Sequence, residues 1–387
     1  MSWLDAMTGL RLSLEQLQDV RDVLSERIGE GLDEAHREIA CLPAFLPPPP
    51  PEVQGEALVL DLGGTNIRAA LVAIDGPGQM RILAGPVKAS LRGGGQMDAD
   101  TFLGKQAELI TSLDLGSKSY PLGYVFSFPA RVEPDADAVL LRWTKGLDIP
   151  GVVGTRVGAR LAEALRHRGV QCRRTVVLND TVACLIGGAF CHGGDASRVV
   201  GLIAGTGTNM AGFVDAGRSA RLRAAGLQGA WAVNFESGNF HPPHLDNLDE
   251  ALDQASLNPG AQRFEKAVSG YYLPKLLARA ESLDEVPDSA AFLDQQIREV
   301  GPYAETSRLL FERSADLVAA GLAAVFRPLG PGRIGVLAEG SLFWSSPGYE
   351  QRVQARLSRL CDAPQVEIFG RDDINFFGAA AAALTMA

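Results

Sequence analysis

The chain has 387 residues, enough for two ordinary domains, because single cores rarely grow past about 250–300 residues. With 46% hydrophobic and 21% charged residues, its composition is that of a globular protein with little room for extended disorder. The formal net charge of -10, from 36 basic and 46 acidic side chains, argues against a nucleic-acid partner, whose backbone normally requires a basic face.

Five cysteines (41, 172, 184, 191 and 361) are scattered without CxxC spacing, which argues against a disulfide framework or a Cys-rich zinc site. Asp5, Arg11 and Glu15 interrupt the first apolar residues, so no secretory leader is read there. No apolar run approaches the roughly 20 residues that span a bilayer. The expectation is a soluble cytoplasmic protein with no membrane or nucleic-acid partner.

In chain order, Leu14, Leu17, Val20, Val23, Leu24 and Ile28 recur at helical spacing between Ser13 and Leu32, with Ser13 and Gln16 placed as a capping box. Pro47 to Pro51 then form a stiff extended connector. The run Ala57-Leu-Val-Leu-Asp61 ends in a Gly-rich turn and resumes at Ile67, which reads as strand, tight turn, strand. The device returns where Val199 to Ala204 meets Gly205-Thr-Gly-Thr-Asn209 and resumes at Met210. Residues 91–96 read as a mobile surface loop. Helical patterns cover Thr155 to Arg168, Asp180 to Phe190, Arg263 to Ser282, Tyr303 to Phe326 and Gly348 to Cys361. Asn375 to Leu384 reads as a small-residue helix that packs closely on a neighbour. Strands interleaved with helices give an α/β class.

The chemistry concentrates at the turns. In Asp61-Leu-Gly-Gly-Thr-Asn-Ile-Arg68, Gly63 and Gly64 allow the backbone to approach a phosphate. Thr65 and Asn66 add donors there, Arg68 adds charge, and Asp61 can hold Mg²⁺ through water. A bare Gly-Gly fits a plain hairpin equally well; the flanking Asp, Thr, Asn and Arg turn the reading toward phosphate. The second turn offers a similar cradle, and neither GxxxxGK[ST] nor a strand-to-helix GxGxxG is present. Between them, Val176-Val-Leu-Asn-Asp-Thr-Val182 is a strand ending in Asn179 and Asp180 ahead of a helix. Such a carboxylate can take a proton from a substrate hydroxyl or simply cap the helix, and the motif alone leaves both open.

Taken with Phe126-Ser-Phe-Pro-Ala, Trp143-Thr-Lys-Gly-Leu, Asn234-Phe-Glu-Ser-Gly, Phe264-Glu-Lys-Ala-Val-Ser-Gly-Tyr-Tyr and Glu339-Gly-Ser, these motifs stand in the order of the hexokinase family. The chain resembles its branch that includes the eukaryotic hexokinases and glucokinase. The resemblance implies a two-lobed, ribonuclease-H-like (actin-like) fold with a cleft between a small and a large domain. The small domain would run over 55–177, completed by a C-terminal helix at 373–387, and the large over 178–372. Residues 1–54 would supply the helix and connector, the helix packing on the large domain.

It further implies ATP-dependent phosphorylation of a hexose, glucose first, at its 6-hydroxyl, with Asp180 as general base and Lys145 neutralising the transferring group. Ser127, Thr144, Lys145, Asn179, Asp180, Asn209, Asn234, Glu236 and Glu265 would hold the sugar, an inventory of short donors, amides and carboxylates that suits a ring of hydroxyls. Asp61, Gly63, Gly64, Thr65, Asn66, Arg68, Thr206 and Gly207 would surround the phosphates, Gly340 and Ser341 the adenosine, and Asp61 with Asp180 would orient Mg²⁺. The chain would act as a monomer or homodimer.

Three departures from the family pattern concern specificity: Glu339 where Asp is common, Leu147 where Phe is usual, and Ala130-Arg-Val-Glu133 without the usual glutamine. The competing classes are a sugar-binding regulatory protein with little turnover and an actin- or chaperone-like ATPase. The latter leaves the polar clusters at Ser127, Asn234, Glu236 and Glu265 without purpose. Bacterial sugar kinases and repressors of the Cys-rich zinc type lack support here. His241-Pro-Pro-His244 reads as a solvated loop rather than a metal pair, and Trp143 and Trp231 as packing residues.

Overall fold

A computed structural model of the chain describes residues 9–91, 97–329, 332–361 and 365–387. Residues 92–96, which hold most of the expected surface loop, lie outside the described residues.

The first helix, α1 (Leu14–Asp33), starts at Ser13, whose hydroxyl accepts from the Gln16 amide while the Gln16 side chain accepts from the Ser13 amide. Its buried stripe of Leu17, Val20, Leu24 and Ile28 shares one core with the long α10 (Ala304–Leu329). Each such side chain contributes about 1.5–3 kcal/mol by leaving water. After β1 (Leu42–Pro43) the connector runs extended: the Ala44 amide donates to Ala232 O and the Ala232 amide to Leu46 O.

The strands form two sheets with one plan. In the first, β2 (Gly55–Leu62), β3 (Asn66–Gly76) and β4 (Gln79–Ser90) are antiparallel, and β5 (Tyr120–Phe126) and β8 (Cys172–Leu178) add in parallel, giving the order β4-β3-β2-β5-β8. In the second, β9 (Val199–Ala204), β10 (Thr208–Asp215) and β11 (Ala230–Asn234) are antiparallel. There β12 (Ile334–Glu339) and β13 (Val366–Phe369) add in parallel. The order is β1-β11-β10-β9-β12-β13, so apart from β1, added at its edge, the second sheet repeats the first. A small ribbon of β6 (Ala130–Val132) and β7 (Ala138–Leu140) stands apart.

Crossover connections of the parallel strands contain helices, as parallel pairing requires. They are α2 (Ala99–Thr111) and α3 (Val157–Arg166) for the first sheet. For the second they are α6 (Asn247–Gln254), α7 (Arg263–Val268), α8 (Leu273–Ala280), α9 (Ala290–Arg298), α10 and then α11 (Ser341–Ser345) with α12 (Tyr349–Leu360). Short α5 (Ala220–Ala224) precedes β11. The mixed α/β class in two lobes agrees with the expectation.

Two helices join the sheets. Every residue from Thr181 to Phe190 of α4 (Asp180–Cys191) is buried, the mark of a helix enclosed on all sides. It lies against α13 (Ile374–Thr385), whose Ala379 to Ala383 share a core with Val59 of β2 and Val125 of β5. The close packing expected of this small-residue helix is acute at Gly378, where a Cβ would stand 1.9 Å from Ala183 O.

One expected helix is broken. Arg263 to Ser282 forms α7 and α8 with residues 269–272 between them. There the Gly270 amide donates to Gly205 O and the Tyr271 amide to Thr206 O. The amides that a continuous helix would consume dock the second turn instead, and Pro274 restarts the helix in its first turn, where no N–H is needed. Among the described residues no helix is long and apolar enough to cross a membrane.

Candidate active site

Hairpin register brings Asp61 of β2 opposite Arg68 of β3. Arg68 donates from Nε (3.1 Å) and Nη2 (2.6 Å) to Asp61 Oδ2 and from Nη1 (3.2 Å) to Asp373 Oδ1, with its guanidinium over the Phe376 ring. Expected among the phosphate donors, it also fastens the first turn to the start of α13. The Gly63 amide closes the turn on Asn66 O, while Asn66 Nδ2 donates to the exposed Thr65 Oγ1. Gly64 is required by what crosses it: a Cβ there would lie 2.8 Å from Lys145 Cδ. Lys145, held at φ +59°, donates from Nζ to Ser127 O at 2.8 Å and faces the Phe128 ring. Thr144 precedes it, its carbonyl accepting the Leu147 amide.

β8 delivers Asn179 and Asp180 to the start of α4. Asn179 is the cap, its Oδ1 accepting the Thr181 amide at 2.9 Å. Asp180 Oδ1 accepts from the same amide at 2.8 Å, and its Oδ2 makes no hydrogen bond among the described residues. Capping is therefore the work of Asn179, and Asp180 keeps an oxygen for other chemistry.

The second turn and the strands behind it carry a chain of amides and carboxylates. Asn209 Nδ2 donates to Asn234 Oδ1 (2.8 Å), and Asn234 Nδ2 to Glu236 Oε1 (2.6 Å). Asn209 Oδ1 accepts the amides of Met210 and Ser237. Glu236 takes the left-handed conformation, φ +57°. Glu265 of α7 accepts the Thr208 amide on Oε2 and the Gln262 side-chain amide on Oε1, both at 3.2 Å. Thr206 and Gly207 form the tip; Gly340 backs onto Ala204 and Gly205, and Ser341 is exposed just after it.

Charges from both sheets act on one another. Burial pushes Asp61 up, Arg68 and Lys145 oppose it, and Asp180 adds a like charge. Burial likewise raises Glu236, opposed by the Asn234 bond and reinforced by Asp180 and Glu265. Glu265 is raised by burial against the Thr208 amide, Lys145 and Lys266. Burial, with the charges of Asp180 and Asp61, pushes Glu339 up to about 7, and its buried Oε2 has no hydrogen-bond partner. Among the described residues no three His, Cys, Asp or Glu side chains form a ready metal cage. An orphaned carboxylate oxygen beside like charges does suit a hard divalent cation that keeps most of its waters.

This has a measurable consequence. Between about 4.5 and 7 the folded protein holds on Glu339 a proton that the unfolded chain has released, so stability falls as pH rises through that window. In EDTA, Glu339→Gln is expected to flatten this slope and to exceed wild type at pH 8 by about 2 kcal/mol, partial exposure trimming the full shift. Denaturant titration from pH 5 to 8 measures it; equal stability of the two proteins at pH 8 would refute it.

The weaker candidates take structural places. Trp143 packs edge-on to Phe102 and Phe128 and donates to Ile149 O; Trp231 donates to Gln228 O. His244 Nε2 bonds Asp19, not His241. Sequence reasoning missed Gln262 and Asp373. Spacing of three on a helix start was a usable signal for Gln262, whereas Asp373 has none, because only the tertiary fold brings it to Arg68.

The family models described as Hexokinase match residues 4–190, and 199–282 with 281–385. The chain belongs to the hexokinase family. Hexokinase-1 of Oryza sativa is 32% identical over 72% of this chain and 66% of its own length. Hexokinase-3 of Mus musculus is 28% identical over 97% and 46%. The chain thus spans about half the length of its mammalian relatives and about two thirds of the rice one. A solved hexokinase of Schistosoma mansoni, complexed with glucose, superposes with a TM-score of 0.83 at 25% identity over 99% of this chain and 98% of that one. A ROK hexokinase from Thermus thermophilus shares the fold at TM-score 0.55. The two-lobed actin-like fold of the hexokinase family is therefore the fold of this chain.

Proposed function

We propose that the chain transfers the γ-phosphoryl group of ATP to the 6-hydroxyl of a hexose, glucose first among them, yielding hexose 6-phosphate and ADP. The observation that carries this reading is the position of Asp180, whose charge acts on Asp61 and Glu339 on one side and on Glu236 on the other. A carboxylate shared between a phosphate turn and a hydroxyl-binding network is what a sugar kinase needs. That the Schistosoma relative is complexed with glucose supports a hexose as the substrate.

In this reading Asp180 removes the proton of the 6-hydroxyl, the freed oxygen attacks the γ-phosphorus, and the bond to the bridging oxygen of ADP breaks. Ser127, Thr144, Asn179, Asn209, Asn234, Glu236 and Glu265 hold the sugar hydroxyls, and Lys145 faces the transferring group. The two turns, with Thr65, Asn66, Thr206 and Gly207, hold the phosphates, and Gly340 with Ser341 the adenosine. Asp61 and Asp180 would hold Mg²⁺, through water, and the ion would supply neutralising charge there. Because transfer depends on positioning and charge rather than covalent chemistry, these groups suffice.

We further assign 55–177 with the C-terminal helix to a small domain and 178–372 to a large one, closing on sugar to exclude water. The five cysteines, all free, suit a reducing cytoplasm. A coupled assay with Mg-ATP across glucose, mannose, fructose and glucosamine tests the activity. Sugar-phosphate formation with at least one of them is expected; ATP hydrolysis indifferent to every hexose would overturn the reading.

A further inference from the structure

Beneath Glu265 lies an ion pair that touches neither turn. Asp253, at the end of α6, is 1% exposed and Lys266, in α7, is 3% exposed. Lys266 Nζ donates to Asp253 Oδ1 at 2.6 Å and to Asn258 O at 2.8 Å. Asp253 Oδ2 accepts the Gly260 amide at 2.8 Å and Arg263 Nη1 at 3.2 Å. One carboxylate and one ammonium thus grip residues 258 and 260 of the loop between α6 and α7 from inside.

That loop leads into the sugar network. Asn258 Nδ2 donates to Gln262 Oε1 at 2.6 Å, and Gln262, at φ +54°, donates from Nε2 to Glu265 Oε1. Gln262 sits in the left-handed region, where a non-glycine residue persists only if its surroundings fix it. Hydrophobic burial does not supply that fixation, since Leu257 points fully into solvent. The polar grip of Asp253 and Lys266 does.

We propose that the Asp253–Lys266 pair is a positioning element for hexose recognition: it orders the 258–262 loop so that Gln262 holds Glu265 in one orientation. The inference rests on the hexose-kinase reading. Buried pairs of this kind are weak contributors to net stability when compared with apolar replacements of the same volume, so a role beyond stability is the better account of retaining one here. Neither residue touches the reacting atoms, and the effect passes through Glu265.

The test is the double variant Asp253→Asn/Lys266→Met, which removes both charges together; Arg263, which also bonds Asp253, keeps Glu250 at 2.8 Å. It is read by equilibrium binding of glucose and by kinetics with Mg-ATP, well below the unfolding midpoint. Loss of an ordered carboxylate hydrogen bond corresponds to a rise of about 10- to 100-fold in glucose Kd and KM. The KM for ATP and kcat are expected to stay within about 2–3-fold, a change well under one hydrogen bond. A merely structural pair would instead lower stability and leave glucose affinity at its wild-type value, and that result overturns the proposal.

Should the double variant fail to fold, Asn258→Ala cuts the link to Gln262 without touching a buried charge. It is expected to weaken glucose binding in the same direction by about 3- to 10-fold, as for one neutral hydrogen bond; unchanged binding overturns the proposal. Wild-type protein that binds no hexose at all would sink the kinase reading itself, a result separate from either variant's.

Discussion

Asp180→Asn is expected to lower kcat by about 10²–10⁴-fold while changing the KM for hexose little, because general-base catalysis of that size is what the side chain supplies. The geometry makes the substitution a clean one. Asn179 already caps α4 through the Thr181 amide, so the helix keeps its start when Asp180 changes. Asparagine also retains an acceptor for the Thr181 amide now bonded to Asp180 Oδ1. What disappears is the negative charge and the ability of the other oxygen to take a proton. Removing that charge relieves Glu339 and Glu236, both of which it raises, so the variant is expected to be no less stable than wild type. Steady-state kinetics with a denaturation curve on the same preparation decides the matter. A variant that phosphorylates hexose at near wild-type kcat would remove Asp180 from its assigned role.

The largest effect on stability is expected at Gly378. A Cβ there meets Ala183 O at 1.9 Å and Ala183 C at 2.7 Å, both backbone atoms of α4 that no rotamer change can move. α4 is buried on all sides and α13 is held against β2 and β5, so neither helix has room to withdraw. Gly378→Val is therefore expected to destabilise by about 3 kcal/mol or more, at or above the upper end of the usual overpacking cost. Gly378→Ala should come close to it, since the first carbon makes the clash. Denaturant midpoints measure this, and a loss below about 1 kcal/mol would mean that the helices separate more readily than their packing indicates.

Much of the architecture could be read from local patterns. The two strand-turn-strand devices, the Ser13 cap and the terminal alanine helix each depend on residues close in sequence, and each forms as expected. The break at 269–272 had a local signal in Gly270 and Pro274 that the helical spacing of the flanking apolar residues outweighed; what was not local is the pair of bonds to Gly205 and Thr206, more than sixty positions upstream. At the candidate site, Asp61, Asn179 and Asp180 were legible because they stand at strand ends, whereas Glu265, inside α7, was singled out only by the family motif. The second engagement of Arg68 was not legible, since its partner Asp373 arrives only when α13 folds back on the first sheet. Gln262 falls between these cases: its spacing from Glu265 was visible, but not the left-handed backbone that aims it.

The placing of α13 also bears on biosynthesis. The apolar faces of β2 and β5, including Val59 and Val125, are synthesised before α4 to α12 and well before α13, which covers them. Vectorial synthesis usually lets the earlier unit fold first, but here that unit lacks its lid until α13 has been made. The nascent chain therefore carries an uncovered hydrophobic sheet while the elements between β5 and α13 are made, which makes it a natural client for holding chaperones. A fragment ending near residue 190, where the first family match stops, would lack this cover.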